Sequence, residues 1–218
     1  MKPKAVFIIS RYKEDYSWVK EYTDKYLIYN KGEPIYNDFH IINTENIGGN
    51  QRDIFKFIYE NYDNLPELMA FIQANPFDHC KKEIFDKLIY NECFTSLEYY
   101  GDIPANGFER RTDNGQFLEL NCNWYINAHN QTYNQNCRYS SFDEFMNTYF
   151  DNYIHVNFIR FSPGSQYIIK KEQVLFYSKI FWQDLMNELN SRSPTEGHII
   201  ERAMYYIFIN IYHLKNGK

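Results

Sequence analysis

The sequence predicts an α/β fold with a mostly parallel central sheet and flanking helices, built as one domain over residues 1–218. Three observations predict it. Apolar runs of strand length, led by Ala5-Val6-Phe7-Ile8-Ile9, continue without polar interruption, as strands buried on both faces do. Amphipathic stretches of helical period alternate with them, the pattern of parallel strands joined by crossover helices. No internal repeat and no linker divides the chain.

Residues 4–10 read as the first strand, ending in Ser10. Arg11 to Asp15 form a polar loop, and Ser17 caps a short helix through Lys25. Strands follow at 26–30 and 39–43, separated by the turn Lys31-Gly32-Glu33-Pro34. A helix spans 51–62, with Ile54, Phe55, Phe57 and Ile58 as its buried stripe. Asp63-Asn64-Leu65-Pro66 ends it, and a strand follows at 68–73. Residues 80–90 read as helical. From Gly101 to Arg138 the chain is rich in Asn, Gly and Asp, too long for a structureless connection, so function or further strands are expected there. Ser141, with Glu144 three residues on, is a capping box opening a helix over 141–150. A strand at 166–169, a long helix over 172–190, and a helix from Ser193-Pro194-Thr195-Glu196 to about Leu214 complete the reading.

Composition narrows the function. A formal net charge of −5 argues against a nucleic-acid partner, which a basic face would announce. The 21 Tyr and 18 Phe, with abundant Asn, suit sugar recognition by stacking and amide hydrogen bonds, but an AT-rich coding sequence gives the same bias. Cys80, Cys93, Cys122 and Cys137 show neither zinc-site nor disulfide-framework spacing, so reduced thiols are expected. The first apolar run is too short for a signal peptide, and no stretch approaches a membrane span. A cytoplasmic location without a transmembrane segment is expected.

The most informative stretch is Asn46-Ile47-Gly48-Gly49-Asn50-Gln51-Arg52-Asp53. A turn with glycine opens a helix, whose outward N–H groups and dipole favour an anion, and Arg52 adds charge beside it. A diphosphate suits such a site. Asp78 and His79 follow strand 68–73, so the sheet delivers them to its carboxyl edge, where α/β ligands bind.

With these elements in place, the first third resembles a GT-A nucleotide-sugar glycosyltransferase. The resemblance lies in the strand ending at Ser10-Arg11-Tyr12, the Asn46-x-Gly48-x-x-x-Arg52-Asp53 turn and helix, and strand 68–73. In that class the last strand normally ends in an Asp-x-Asp metal motif, whereas this chain reads Gln73-Ala74-Asn75. The departure implies no metal cofactor, the alternative being Mn or Mg held through Asp78 and His79. The chain is also similar to a domain family of unknown function, through Arg11-Tyr12-x-Glu14-Asp15-x-x-Trp18, Tyr29-Asn30-Lys31-Gly32, Asn46-Ile47-Gly48, Tyr62-Asp63-Asn64-Leu65-Pro66 and Glu201-Arg202. Its last part, Pro163-Gly164-Ser165-Gln166-Tyr167 and Ser193-Pro194-Thr195-Glu196, resembles the metal-independent core-2 branching N-acetylglucosaminyltransferases. There a Ser-Pro-Asp-Glu segment carries the catalytic base.

The resemblance implies transfer of a sugar, with inversion, from a nucleotide-sugar donor to a carbohydrate or other hydroxyl acceptor. Glu196 is the base by position, and Glu201 is the other candidate, with a structural ion pair to an Arg as its competing role. Ser10, Arg11, Tyr12, Asn46, Gly48, Arg52, Gln73, Asn75, Asp78 and His79 are the expected donor-binding residues. Gly164, Ser165, Gln166, Lys170 and Arg202 are assigned to the diphosphate or acceptor side, with Lys171 and Arg160 as further cations. Asp53 is a candidate for sugar hydroxyls, and Trp124 for stacking on a sugar ring. A transferase-like domain that binds without turnover is the competing reading.

Overall fold

The computed structural model describes residues 2–98, 108–111, 117–119, 125–126, 138–139, 141–192 and 194–215. The first half contains β1 (Val6–Arg11), α1 (Val19–Tyr22), β2 (Tyr26–Asn30), β3 (Ile41–Asn43), α2 (Gly49–Asn61), β4 (Leu68–Gln73), α3 (Lys82–Leu88) and β5 (Thr95–Ser96). The second contains β6 (Phe108–Arg111), β7 (Phe117–Glu119), β8 (Tyr125–Ile126), α4 (Phe142–Tyr149), β9 (Phe158–Arg160), β10 (Tyr167–Lys170), α5 (Lys171–Leu175), α6 (Lys179–Glu188) and α7 (Glu196–Phe208).

The main sheet has the order β3-β2-β1-β4-β10-β5. Its first four strands are parallel, and β10 lies antiparallel to both β4 and β5. The fold is therefore α/β with a mixed, mostly parallel sheet. Side-chain alternation explains why its strands read as unbroken apolar runs. Ile8, Met69, Phe71, Tyr167 and Ile169 join the core beneath α2, α4, α6 and α7. Phe7, Ile9, Ala70, Ile72 and Ile168 face the opposite core, with Val19, Tyr22 and Phe85. A second, antiparallel sheet has the order β8-β7-β6-β9. Its first three strands fall in the 101–138 stretch where further strands were expected. Trp124, also in that stretch, lies outside the described residues.

Several element boundaries need correction. Ser17 does not cap α1, because its backbone N–H and hydroxyl both donate to Asp15. The long helix expected over 172–190 is two helices. Ser178 adopts extended geometry and accepts from Phe181 N–H at 3.3 Å, starting α6 afresh where the apolar period runs on unbroken. The last helix stops at Phe208 rather than near Leu214, because Asn210 takes a left-handed conformation (φ 56°) just past its end. Ser141 does accept from Glu144 N–H, at 3.1 Å, and opens α4.

One buried carboxylate ties the helical layer together. Glu188, at the end of α6, accepts from Tyr139 (2.7 Å), Tyr149 (2.8 Å) and Arg138 (2.6 Å). Tyr149→Phe deletes a hydrogen bond to a charged acceptor. Chemical denaturation should show a loss of about 1.5–3 kcal/mol.

Candidate functional site

β1 sits between β2 and β4, so the chain leaves the carboxyl ends of β1 and β4 in opposite directions. Open α/β sheets hold their ligands in the crevice that such a reversal opens. A cleft of about 400 Å³ occupies it here, within the size range of small-molecule sites. Ser10, Arg11, Tyr12 and Glu14 line it from the end of β1, and Lys31 from the β2–β3 connection. Asn46, Gly49 and Asn50 come from the start of α2, and Gln73, Ala74, Asn75, Asp78 and His79 from the end of β4.

The start of α2 owes its shape to two left-handed glycines, Gly48 (φ 69°) and Gly49 (φ 61°). Gly48 N–H donates to Ser191 O at 2.7 Å, and a Cβ at Gly48 would stand 2.4 Å from the Leu189 carbonyl oxygen. No side chain caps the helix, so its dipole and first amides stay open to a ligand. Arg52 does not line the cleft. Its stem folds over Gly48, where a Cβ would meet Arg52 Cδ at 2.4 Å, and its Nε is buried without a hydrogen-bond partner. Packing over the glycine turns it from the place the turn suggested.

At the β1 end, Arg11 donates from Nε to the Glu14 carbonyl (2.8 Å) and from Nη1 to Asn30 Oδ1 (2.6 Å). Burial raises Glu14, but the N–H groups of Tyr12, Glu14 and Lys13 and the nearby Arg11 hold it below the usual carboxylate range. Asp53 does not line the cleft. It is buried, accepting from Ser10 Oγ at 2.7 Å and lying 3.1 Å from Lys31 Nζ. Burial pushes its carboxyl up to about 6, against the opposing pull of Lys31 and Ser10.

The β4 end is held from behind. Ala74 N–H donates to Ser10 O (2.8 Å), and Trp18 Nε1 donates to Ala74 O (2.7 Å). Gln166 is fully buried; its Oε1 accepts from Gln73 N–H at 3.3 Å and its Nε2 donates to Pro76 O at 3.2 Å. Gly164 (φ 73°) presses on the Gln73 carboxamide, which a Cβ there would meet at 2.7 Å. Asn50 donates to Gly164 O, and Gly164 N–H donates to Glu201 Oε1 at 2.7 Å. Glu201 also pairs with Arg202, whose guanidinium lies 4.1 Å above the Phe161 ring. Gly164, Gln166, Glu201 and Arg202 thus form a wall behind the cleft. Ser165 is buried in the same turn at a left-handed φ of 54°.

Other expected residues are not brought there. Lys170 pairs with Leu68 while Gln73 ends β4, so it sits five residues away along the strand, about 16 Å by strand rise. With Lys171 it lines a depression beside Lys4, Lys25 and Glu67 at the opposite edge. Arg160 is exposed, 5.1 Å over the Tyr205 ring. Glu196 begins α7 and accepts from Arg138 N–H at 2.8 Å. The next residue, Gly197, packs against Leu189, whose Cδ2 lies 3.8 Å from a Cβ built there. Sequence reasoning passed over Lys31, Glu14 and Asn50. Lys31 directly follows the strand read at 26–30, and that position was the available signal; the structure puts the end of β2 on the same carboxyl edge as β1.

Among the described residues, no three His, Cys, Asp or Glu side chains converge as a metal-holding group, and no helix is long and apolar enough to cross a membrane. Gly48→Ala forces a side chain into left-handed backbone against the Leu189 carbonyl. Thermal or chemical denaturation should show a loss of about 1–3 kcal/mol.

No curated protein and no solved structure matches the chain. Residues 6–217 match the family model described as "Protein of unknown function (DUF3431)". Nearly the whole sequence, cleft and supporting wall included, is covered by that match, and the chain belongs to the DUF3431 family.

Proposed function

We propose that the protein is a GT-A-like glycosyltransferase that moves a sugar from a nucleotide-sugar donor to a hydroxyl acceptor on a glycan, glycoprotein or lipid-linked sugar. The observation behind the proposal is the cleft itself: an uncapped helix start and the carboxyl ends of β1 and β4 meet around about 400 Å³ of polar-lined space. Amides and the helix dipole at Gly49 and Asn50 suit the diphosphate, with Arg11 as a cation in the cleft lining beside the internally paired Lys31. Ser10, Tyr12, Asn46, Gln73, Asn75, Asp78 and His79 supply the stacking ring and hydrogen-bonding groups that nucleoside and sugar hydroxyls need.

The base of an inverting transfer takes the acceptor proton as the hydroxyl attacks the anomeric carbon, while positive potential stabilises the departing diphosphate. Glu201 is poorly suited to that task, because Gly164 N–H and Arg202 occupy its two oxygens. Glu196 does not line the cleft and is kept as the base on the Ser193-Pro194-Thr195-Glu196 resemblance alone, with Glu201 the anchor of the wall. Carboxamides at 73 and 75 in place of carboxylates favour either metal-independent transfer or a domain that binds without turnover. Should a divalent cation take part, Asp78 and His79 are the cleft side chains that would hold it.

Isothermal titration with UDP-, GDP- and CMP-sugars, with and without manganese, should give saturable binding to one donor class without added metal. Glu196→Gln should lower donor turnover by on the order of 10²-fold with donor affinity unchanged. Glu201→Gln should instead lower stability by about 3 kcal/mol. Saturable binding with no turnover in the wild type selects the binding-only domain, and binding only with manganese selects the metal-dependent enzyme. No binding of any sugar nucleotide overturns the proposal.

A further inference from the structure

The cleft rests on a buried ion pair whose cation, Lys31, reaches the lining with its ammonium already engaged by the protein. The side chains of Lys31 and Asp53 are 5% and 1% exposed. An ammonium has three N–H groups, and three acceptors meet this one: the carbonyl oxygens of Ile47 (3.0 Å) and Gly49, and Asp53 Oδ2 (3.1 Å). Asp53 Oδ2 also accepts from Ser10, whereas Oδ1 is buried without a hydrogen-bond partner.

Such a pair is a poor source of stability. Burial raises Asp53 and lowers Lys31, so the fold disfavours the charged form of each. Its effect is geometric. Across a planar trans peptide the carbonyl and the following N–H point in opposite directions. With Ile47 O drawn to Lys31, Gly48 N–H is left for Ser191 O, and with Gly49 O drawn to Lys31, Asn50 N–H faces away from the pair.

We infer that Lys31 and Asp53 are positioning residues, a buried tie that orients the Asn50 amide at the start of α2 toward an anionic group. The inference rests on the sugar-nucleotide proposal, since the anion is that ligand's diphosphate. Lys31 faces Asp53 from the β2–β3 connection, Ser10 from β1, Tyr29 from β2, and Arg52 from the same helix. Protonating Asp53 removes the anion from Lys31, so the tie slackens as pH falls through about 6. The fold does not weaken from this group over that range. Its folded value lies above the ordinary 3.8, so its stabilising contribution is present at low pH and lost as pH rises through about 6.

The test compares wild type with the double variant Lys31→Met/Asp53→Leu by melting temperature and by titration. The probes are a UDP- or GDP-sugar, whose two esterified phosphates keep constant charge over the range used, and inorganic pyrophosphate at neutral pH. The double variant should melt at or above the wild-type temperature and bind the sugar nucleotide about tenfold or more weakly. Wild-type affinity should fall severalfold from about pH 7.5 to about pH 5, a dependence the double variant lacks. The wild-type pH series stands whether or not the double variant folds.

Binding by the double variant within about twofold of wild type, or a flat wild-type pH series, overturns the positioning role and leaves the transferase proposal intact. A melting temperature that falls in step with affinity also overturns it, marking the pair as a structural prop. If wild type binds pyrophosphate but no sugar nucleotide, and the double variant loses that binding, the positioning role stands and the transferase proposal falls. No binding of either probe by wild type overturns both.

Discussion

Placing β1 between β2 and β4 is the constraint on which the site depends. Once both neighbours are parallel to it, the loops at its carboxyl end must part, and a crevice opens where they do. Whatever the chain puts at residues 10–14, 31, 46–50 and 73–79 is delivered to that crevice from four segments. The polar content of those segments, against the apolar strands that carry them, marks this edge as the chemical end of the molecule.

The C-terminal helices contribute none of the cleft lining, yet they hold its shape. Ser191 takes the Gly48 N–H, the Leu189 carbonyl lies where a Gly48 side chain would go, and Glu188 beside them anchors α6 to Tyr139 and Tyr149. The turn at Gly164 joins Asn50 and Gln73 on the cleft side to Glu201 on α7. Close backbone approach at Gly48 carries much of this coupling, because a side chain there would meet the Leu189 carbonyl oxygen, whereas one at Gly164 would meet the Gln73 carboxamide.

Much of the sheet was legible because burial on both faces demands continuous apolar runs, and β1, β2, β4 and β10 have them. Helix breaks were harder to read. The apolar pattern runs straight through Ser178, so only the local cap reveals that α5 and α6 are separate. Strand direction is invisible to periodicity. Because β10 runs against β4, Lys170 lands at the opposite edge from Gln166, although the two are close in sequence. Charge misled at Arg52, whose stem packs over Gly48, and the turn-like sequence around Lys31 hid a buried cation. Cleft residues near strand ends were found from the alternation of elements, whereas Gly164, Gln166, Glu201 and Arg202 were named through the resemblance and only their contacts show that they support the cleft from behind.

Amide shift mapping by nuclear magnetic resonance, during titration with a UDP- or GDP-sugar, tests the central claim most directly. The largest saturating shifts are expected at the backbone amides of Gly49, Asn50 and Gln51, with smaller ones at Tyr12 and Asn75. Shifts concentrated instead around Lys170 and Lys171 at the opposite edge, or none at the start of α2, would contradict an anion-holding helix mouth at the reversal between β1 and β4.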